Sequence, residues 1–87
     1  MALLIVFPTT HQTLSAEKSL EKAGVEHRTI MKPRRISSDC GLAIRIDAES
    51  LESSLAALSA ERLLPVRIFT EIEGNWECIK RLGEAGE

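Results

Sequence analysis

The chain has 87 residues, which is room for one domain, and its net charge of −2 argues against general nucleic-acid binding, which needs a basic surface. Apolar residues make up 44% and charged residues 28%, a balance that excludes a disordered chain. A domain of this size buries only about 60–65% of its unfolded surface, so a homodimer that covers an apolar face would add stability. We expect residues 1–82 to form the domain and residues 83–87 to be a frayed tail.

An apolar run, residues 2–7, opens the chain and ends at Pro8. It predicts a central strand covered on both faces. The run is too short for a transmembrane helix and has no basic residue before it, so we expect a cytoplasmic protein with no membrane partner. In that reducing compartment Cys40 and Cys78 should be free thiols, and their spacing suits neither a zinc site nor any other cofactor.

The next two elements are predicted to be a helix and an edge strand. The helix runs from about residue 11 to residue 23, with Thr10 as its N-cap and Gly24 just after its end. Residues 25–32 follow as a strand whose charged side chains are typical of a sheet edge.

The second half of the chain is predicted to contain two more strands and two more helices. Residues 42–47 alternate between apolar and polar side chains, which predicts a half-buried strand. Residues 49–62 predict a second helix with acidic side chains in its first turn. Residues 66–73 alternate again and predict a fourth strand. Residues 75–82 predict a short helix that presents Trp76 to apolar sheet surface.

This order of elements predicts an α+β fold, a ferredoxin-like βαββαβ sandwich with a short C-terminal helix added. The antiparallel sheet would have four strands, the first and third of them in the middle, with both long helices on one face. Because the first strand is apolar on both faces, the open side of the sheet needs a cover. The last helix with Trp76, or a partner subunit, would supply it.

The connection between the second and third strands, residues 33–41, has an unusual composition. It is longer than a tight hairpin turn, and loops longer than needed often carry function. Only Ile36 has the character of a packing residue. The other side chains are those of Pro33, Arg34, Arg35, Ser37, Ser38, Asp39 and Cys40, and the loop ends at Gly41.

Cys40 is the best candidate for chemistry, because the thiolate form of a cysteine is a nucleophile. The two arginines of the loop would favour the thiolate, and the two serine hydroxyls and the N–H groups near Gly41 would hydrogen-bond it. Gly41 would also leave room beside the sulfur for a partner. Asp39 would oppose the thiolate if its carboxylate faced the sulfur, and a buried packing role is the alternative for any cysteine entering a strand.

Two motifs carry a family resemblance: Phe-Pro-Thr-Thr-His at residues 7–11, and Pro-Arg-x-Ile-Ser-Ser-x-Cys-Gly at residues 33–41, running into an apolar strand. With these motifs, residues 3–46 resemble the selenium/sulfur carrier-like family of small bacterial proteins. The resemblance implies that Cys40 carries activated sulfur or selenium as a persulfide or selenopersulfide. It implies a donor, such as a cysteine desulfurase or a selenium-delivery protein, and an acceptor protein.

Two other functions remain open at this point. One is a small dimeric regulatory module that binds an anion or metabolite near Arg34, Arg35 and the serines, without thiol chemistry. The other is an enzyme in which His11 activates Cys40. A carrier turns nothing over alone, so the resemblance favours a protein that is not an enzyme. A carrier also requires that the Cys40 thiol be exposed to solvent. We expect Cys78 to be a packing residue.

Overall fold

The apolar run at the start of the chain forms β1 (Ala2–Val6), which is buried on both faces of a sheet, as predicted. The computed structural model describes residues 1–64 and 66–83, so residues 84–87 of the predicted tail lie outside the described residues. The other elements are α1 (Thr10–Lys22), β2 (Arg28–Met31), β3 (Leu42–Asp47), α2 (Leu51–Ala60), β4 (Val66–Ile72) and β5 (Asn75–Leu82), with a 3-10 turn at Ala48–Ser50.

The sheet formed by the described residues has the strand order β2-β3-β1-β4-β5, and every neighbouring pair is antiparallel. The α+β class is confirmed, and the first and third strands lie inside the sheet as predicted. At its centre Leu4 of β1 lies opposite Arg45 of β3 and Phe69 of β4. Because directly opposite residues share a face, this register decides which side chains meet on each side of the sheet.

The predicted short helix at residues 75–82 is wrong, because this segment forms β5. Within the described residues the sheet therefore has five strands where the sequence predicts four. The chain turns at Glu73 and Gly74, whose φ angles are both positive, 50° and 80°. Two successive positive φ angles are typical of the tight turn that joins hairpin strands. The turn lays residues 75–82 along β4, where main-chain pairing outweighs a weak helical pattern.

Both helices lie on the same face of the sheet, as predicted. Apolar residues of α1 and α2 share one core cluster with alternate residues of the strands, namely Leu3, Ile5, Phe7, Ala16, Leu20, Ile44, Ile46, Leu58, Val66 and Ile68. Helix α1 starts one residue earlier than predicted, because Thr9 and not Thr10 is the N-cap: the Thr9 hydroxyl accepts the Gln12 N–H at 3.1 Å. No helix in the described part of the chain has the length and apolar character needed to cross a membrane.

The side of the sheet away from the helices, which we call the open face, carries a second and smaller cluster. Leu4, Val6, Ala43 and Phe69 are buried there. Trp76 packs against them and is partly buried, so its predicted place is confirmed, although a strand and not a helix delivers it. The rest of the cover comes from the loop between β2 and β3.

Candidate functional site

The loop of residues 33–41, which we call the strap, is anchored on the open face by one apolar side chain. Ile36 is only 2% exposed and packs against the cluster that contains Leu4 and Phe69. The sequence predicts a packing role for Ile36, and the structure confirms it. A loop that connects neighbouring antiparallel strands thus also covers part of the face that those strands leave open.

The base of the strap is closed by Lys32, the residue that precedes it. The Lys32 main-chain N–H donates to the Gly41 carbonyl at 2.8 Å, which extends the β2–β3 pairing by one step. The Lys32 ammonium donates to the carbonyl of Ile36, and the Ile36 N–H donates to the Pro33 carbonyl at 3.1 Å. These bonds fold the first half of the strap into a turn.

Two arginine contacts tie the strap to β4 and β5. Arg67 Nη2 donates to the Ser37 carbonyl at 2.6 Å, and Arg35 Nη1 donates to Asn75 Oδ1 at 3.1 Å. Both bonds are exposed to solvent, where each contributes little to stability. The buried Ile36 side chain is therefore the main apolar anchor of the strap.

The Cys40 thiol is buried, with 1% of the residue exposed, so the expectation of a solvent-exposed thiol is wrong. At the end of the strap the chain returns toward the helix side of the sheet, and Cys40 packs against the first turn of α1. Its sulfur lies 3.1 Å from Thr13 Oγ1 and 3.8 Å from Thr10 Oγ1. The sulfur also lies 3.4 Å from the Leu42 main-chain nitrogen and 3.3 Å from the Leu42 carbonyl oxygen.

This set of groups serves both protonation states of the sulfur. A neutral thiol donates its proton to Leu42 O or to Thr13 Oγ1, while the Thr13 hydroxyl donates to the Thr9 carbonyl at 3.0 Å. An anionic sulfur accepts the Leu42 N–H and, when their hydroxyls turn, the protons of Thr13 and Thr10. The N-terminus of α1 adds the positive end of the helix dipole. The sulfur therefore has hydrogen-bond partners in either protonation state, supplied by α1 and Leu42.

Most of the residues predicted to support the sulfur have other partners. Ser38 Oγ accepts the Cys40 N–H at 3.1 Å, so it holds the main chain of Cys40 and not its sulfur. Ser37 offers its carbonyl to Arg67, and Arg35 reaches Asn75. Within residues 1–64 and 66–83, the hydrogen-bonding partners of the sulfur come from α1 and Leu42, and neither arginine of the strap is among them.

Thr10 and Thr13 of α1 lie next to the Cys40 sulfur and were not among the residues predicted to contact it. Thr13 is 0% exposed and occupies the buried stripe of the helix. A polar side chain in a buried stripe needs a hydrogen-bond partner. The position of Thr13 in that stripe could therefore have indicated that its hydroxyl contacts another polar group. Because Thr9 is the N-cap, the side chain of Thr10 is left to face Cys40.

A family model with the description "Putative Se/S carrier protein-like" matches residues 2–70, which include β1, α1, the strap and Cys40. The chain belongs to this family. The resemblance drawn from residues 3–46 is thereby confirmed. No curated protein and no solved structure matches the chain.

The other residues that the sequence suggested for the site make no hydrogen bond to the Cys40 sulfur among the described residues. His11 is exposed, and among the described residues it is not a partner of Cys40. Arg34 and Asp39 are exposed as well. A Cβ at Gly41 would meet no atom within 4 Å outside the neighbouring residues, so the fold itself does not require glycine there.

The two cysteines are free thiols on different faces of the sheet. Cys40 contacts α1, whereas Cys78 is partly buried on the open face, opposite Phe69. Among the described residues no group of three or more histidine, cysteine, aspartate or glutamate side chains is arranged to hold a metal ion.

Proposed function

We propose that this protein is a carrier that holds activated sulfur or selenium on Cys40 and passes it between partner proteins. The observation that carries the proposal is the position of the Cys40 sulfur, between the first turn of α1 and the Leu42 main chain, in a member of a carrier-like family. We place this function in the cytoplasm, where reducing conditions keep both cysteines free. The order of β1 to β4 supports a ferredoxin-like unit, which β5 would extend by one strand.

Loading is a thiol–persulfide exchange, in which the Cys40 thiolate attacks the terminal sulfur of a persulfide on a donor protein. A bond forms between Cys40 Sγ and that sulfur, and the sulfur–sulfur bond of the donor breaks. The bonding electron pair leaves with the donor cysteine as a thiolate, which takes up a proton. Nothing is oxidised or reduced overall. With selenium, the same displacement gives a sulfur–selenium bond.

The buried state of Cys40 makes access the controlled step of this cycle. A donor cannot reach a sulfur in a residue that is 1% exposed, so Cys40 at the end of the strap has to come away from α1 before exchange begins. The closed strap would in turn keep a loaded persulfide away from water and from small thiols. The strap is held by the buried side chains of Ile36 and Cys40 and by hydrogen bonds of which two are exposed, so its local opening should cost less than global unfolding.

The test of the proposal is transfer of sulfur from a cysteine desulfurase and its cysteine substrate, read by mass spectrometry. The wild-type protein should gain the mass of one sulfur, located on Cys40 by peptide mapping. The Cys40→Ser variant should gain nothing, and the matched Cys78→Ser variant should load like the wild type. Absence of a mass gain in the wild type, or a gain on Cys78 alone, would overturn the carrier function.

A further inference from the structure

The open face carries positive charge in a chain whose net charge is −2. The strand register places Arg28 of β2, Arg45 of β3 and Arg67 of β4 on this face, together with the buried Leu4. The strap that lies over the same face adds Arg34 and Arg35. Asp47 and Glu71 share the face, Glu26 lines a cavity with Arg28, Arg45 and Asp47, and the strap itself carries the exposed Asp39.

Two of these arginines form a like-charge pair. Arg28 lies directly opposite Arg45, and both are exposed. Like charges directly opposite each other on neighbouring strands are destabilising. In the described part of the chain neither arginine has a carboxylate oxygen within 4.0 Å, and the ion pair found there joins Lys22 to Glu61. Glu26 and Asp47 line a cavity with the pair without forming an ion pair to it, so a carboxylate of a partner placed between the two arginines would reduce their repulsion.

A cavity of about 320 Å³ lies beside the pair on the open face. Its lining includes Leu4, Ile30, Arg45 and Trp76, with Glu71 as its acidic member. Ile30 and Trp76 are only partly buried, so apolar surface next to positive charge is open to solvent. This combination suits a side chain that is apolar and is flanked by carboxylates.

We propose that the open face is a docking surface for a partner protein that presents acidic side chains around an apolar one. The apolar side chain enters the cavity beside Trp76, and the carboxylates pair with Arg28 and Arg45. The proposal rests on the proposed carrier function, because the partner is the protein that gives or receives the sulfur. A partner docked on this face contacts the strap, whose movement exposes Cys40.

Two other occupants fit the face less well. Single-stranded RNA binds through several stacking rings, but Phe69 is only 7% exposed and lies under the Arg67 guanidinium, which is 5.2 Å from the ring centroid. That leaves Trp76 as the ring open to a ligand on this face among the described residues. A symmetric dimer through the same face would bring the arginine pair of one copy toward that of the other.

The probe for the experiment is a synthetic peptide with a central leucine flanked by glutamates. Trp76 is the only tryptophan, so its fluorescence reports occupancy of the cavity directly. Arg45→Glu should weaken binding about tenfold or more, because it removes one attraction and adds one repulsion. Lys18→Glu makes the same change of net charge on exposed α1 and should leave the affinity within about twofold. A peptide with lysines in place of the glutamates should not bind.

The proposal is overturned if the acidic peptide leaves the Trp76 emission unchanged, or if Arg45→Glu and Lys18→Glu weaken binding equally. Tighter binding of a single-stranded RNA oligonucleotide, or a dimer in sedimentation whose formation Arg45→Glu abolishes, would replace the acidic partner with another occupant. The Cys40→Ser variant should bind the peptide like the wild type. Peptide binding without sulfur loading would therefore defeat only the carrier function, and loading without peptide binding would defeat only the docking surface.

Discussion

The strap should be the gate to Cys40, and replacement of Ile36 tests that role most directly. Ile36 is 2% exposed in the closed strap, and Ile36→Ala removes three carbon atoms from the cluster on the open face. At about 0.8 kcal/mol for each buried methylene, the closed state loses about 2.4 kcal/mol relative to the open state. Because 1.4 kcal/mol is a factor of ten, the population of the open strap should rise about 60-fold.

The assay is the rate at which iodoacetamide alkylates Cys40 under native conditions, measured by mass spectrometry in a Cys78→Ser background. When closing is faster than alkylation, the rate is proportional to the open population. Ile36→Ala should therefore accelerate alkylation by about the same 60-fold factor, provided that the strap opens without global unfolding.

The matched control is Leu58→Ala, which removes three carbon atoms from a residue of α2 that is 0% exposed on the other face of the sheet. Both variants should lower the free energy of unfolding in urea by about 2–5 kcal/mol. Only Ile36→Ala should accelerate alkylation. An unchanged rate in Ile36→Ala would refute the gate, and equal acceleration in both variants would show that Cys40 is reached through global unfolding.

Three further predictions concern single positions. Thr13→Val removes the hydroxyl 3.1 Å from the sulfur and should slow sulfur loading about fivefold, the equivalent of one hydrogen bond, whereas Thr13→Ser should keep the wild-type rate in the same mass assay. Gly41→Ala should leave the thermal midpoint unchanged, since a Cβ there meets no atom within 4 Å beyond the neighbouring residues, so a slower loading rate in this variant would report a blocked approach of the donor. Gly74→Ala should lower the free energy of unfolding in urea by about 1–2 kcal/mol, because φ at this turn is +80°, and an unchanged value would argue against the β4–β5 hairpin.

The elements with strong patterns could be predicted from the sequence. The continuous apolar run of β1 and the alternation of β3 and β4 fix buried strands, and Gly24 marks the end of α1, where its φ is +74°. Residues 75–82 could not be assigned in this way. Their apolar residues Trp76 and Ile79 have helical spacing, and the strand forms only because the turn at residues 73–74 lays the segment against β4.

The sequence singles out Cys40 as the candidate thiol, but the groups around its sulfur could not be predicted from it. Cys40 stands out because of its loop and motif, but Arg35, Ser37 and Ser38, which were expected to support its sulfur, hold the strap instead. The groups that face the sulfur include Thr13, which is 27 positions away along the chain. Contacts of that range depend on how α1 packs against the end of β3, and a local pattern does not contain that information.

The placement of the two thiols on different faces of the sheet bears on how long a proposed load on Cys40 would last. A second thiol within reach of a persulfide discharges it: the thiolate attacks the inner sulfur, a disulfide forms and hydrosulfide leaves. Here Cys40 packs against α1 while Cys78 lies with the cluster of the open face. The sheet separates the two sulfurs, so in the folded chain Cys78 would not reach a persulfide on Cys40 and discharge it.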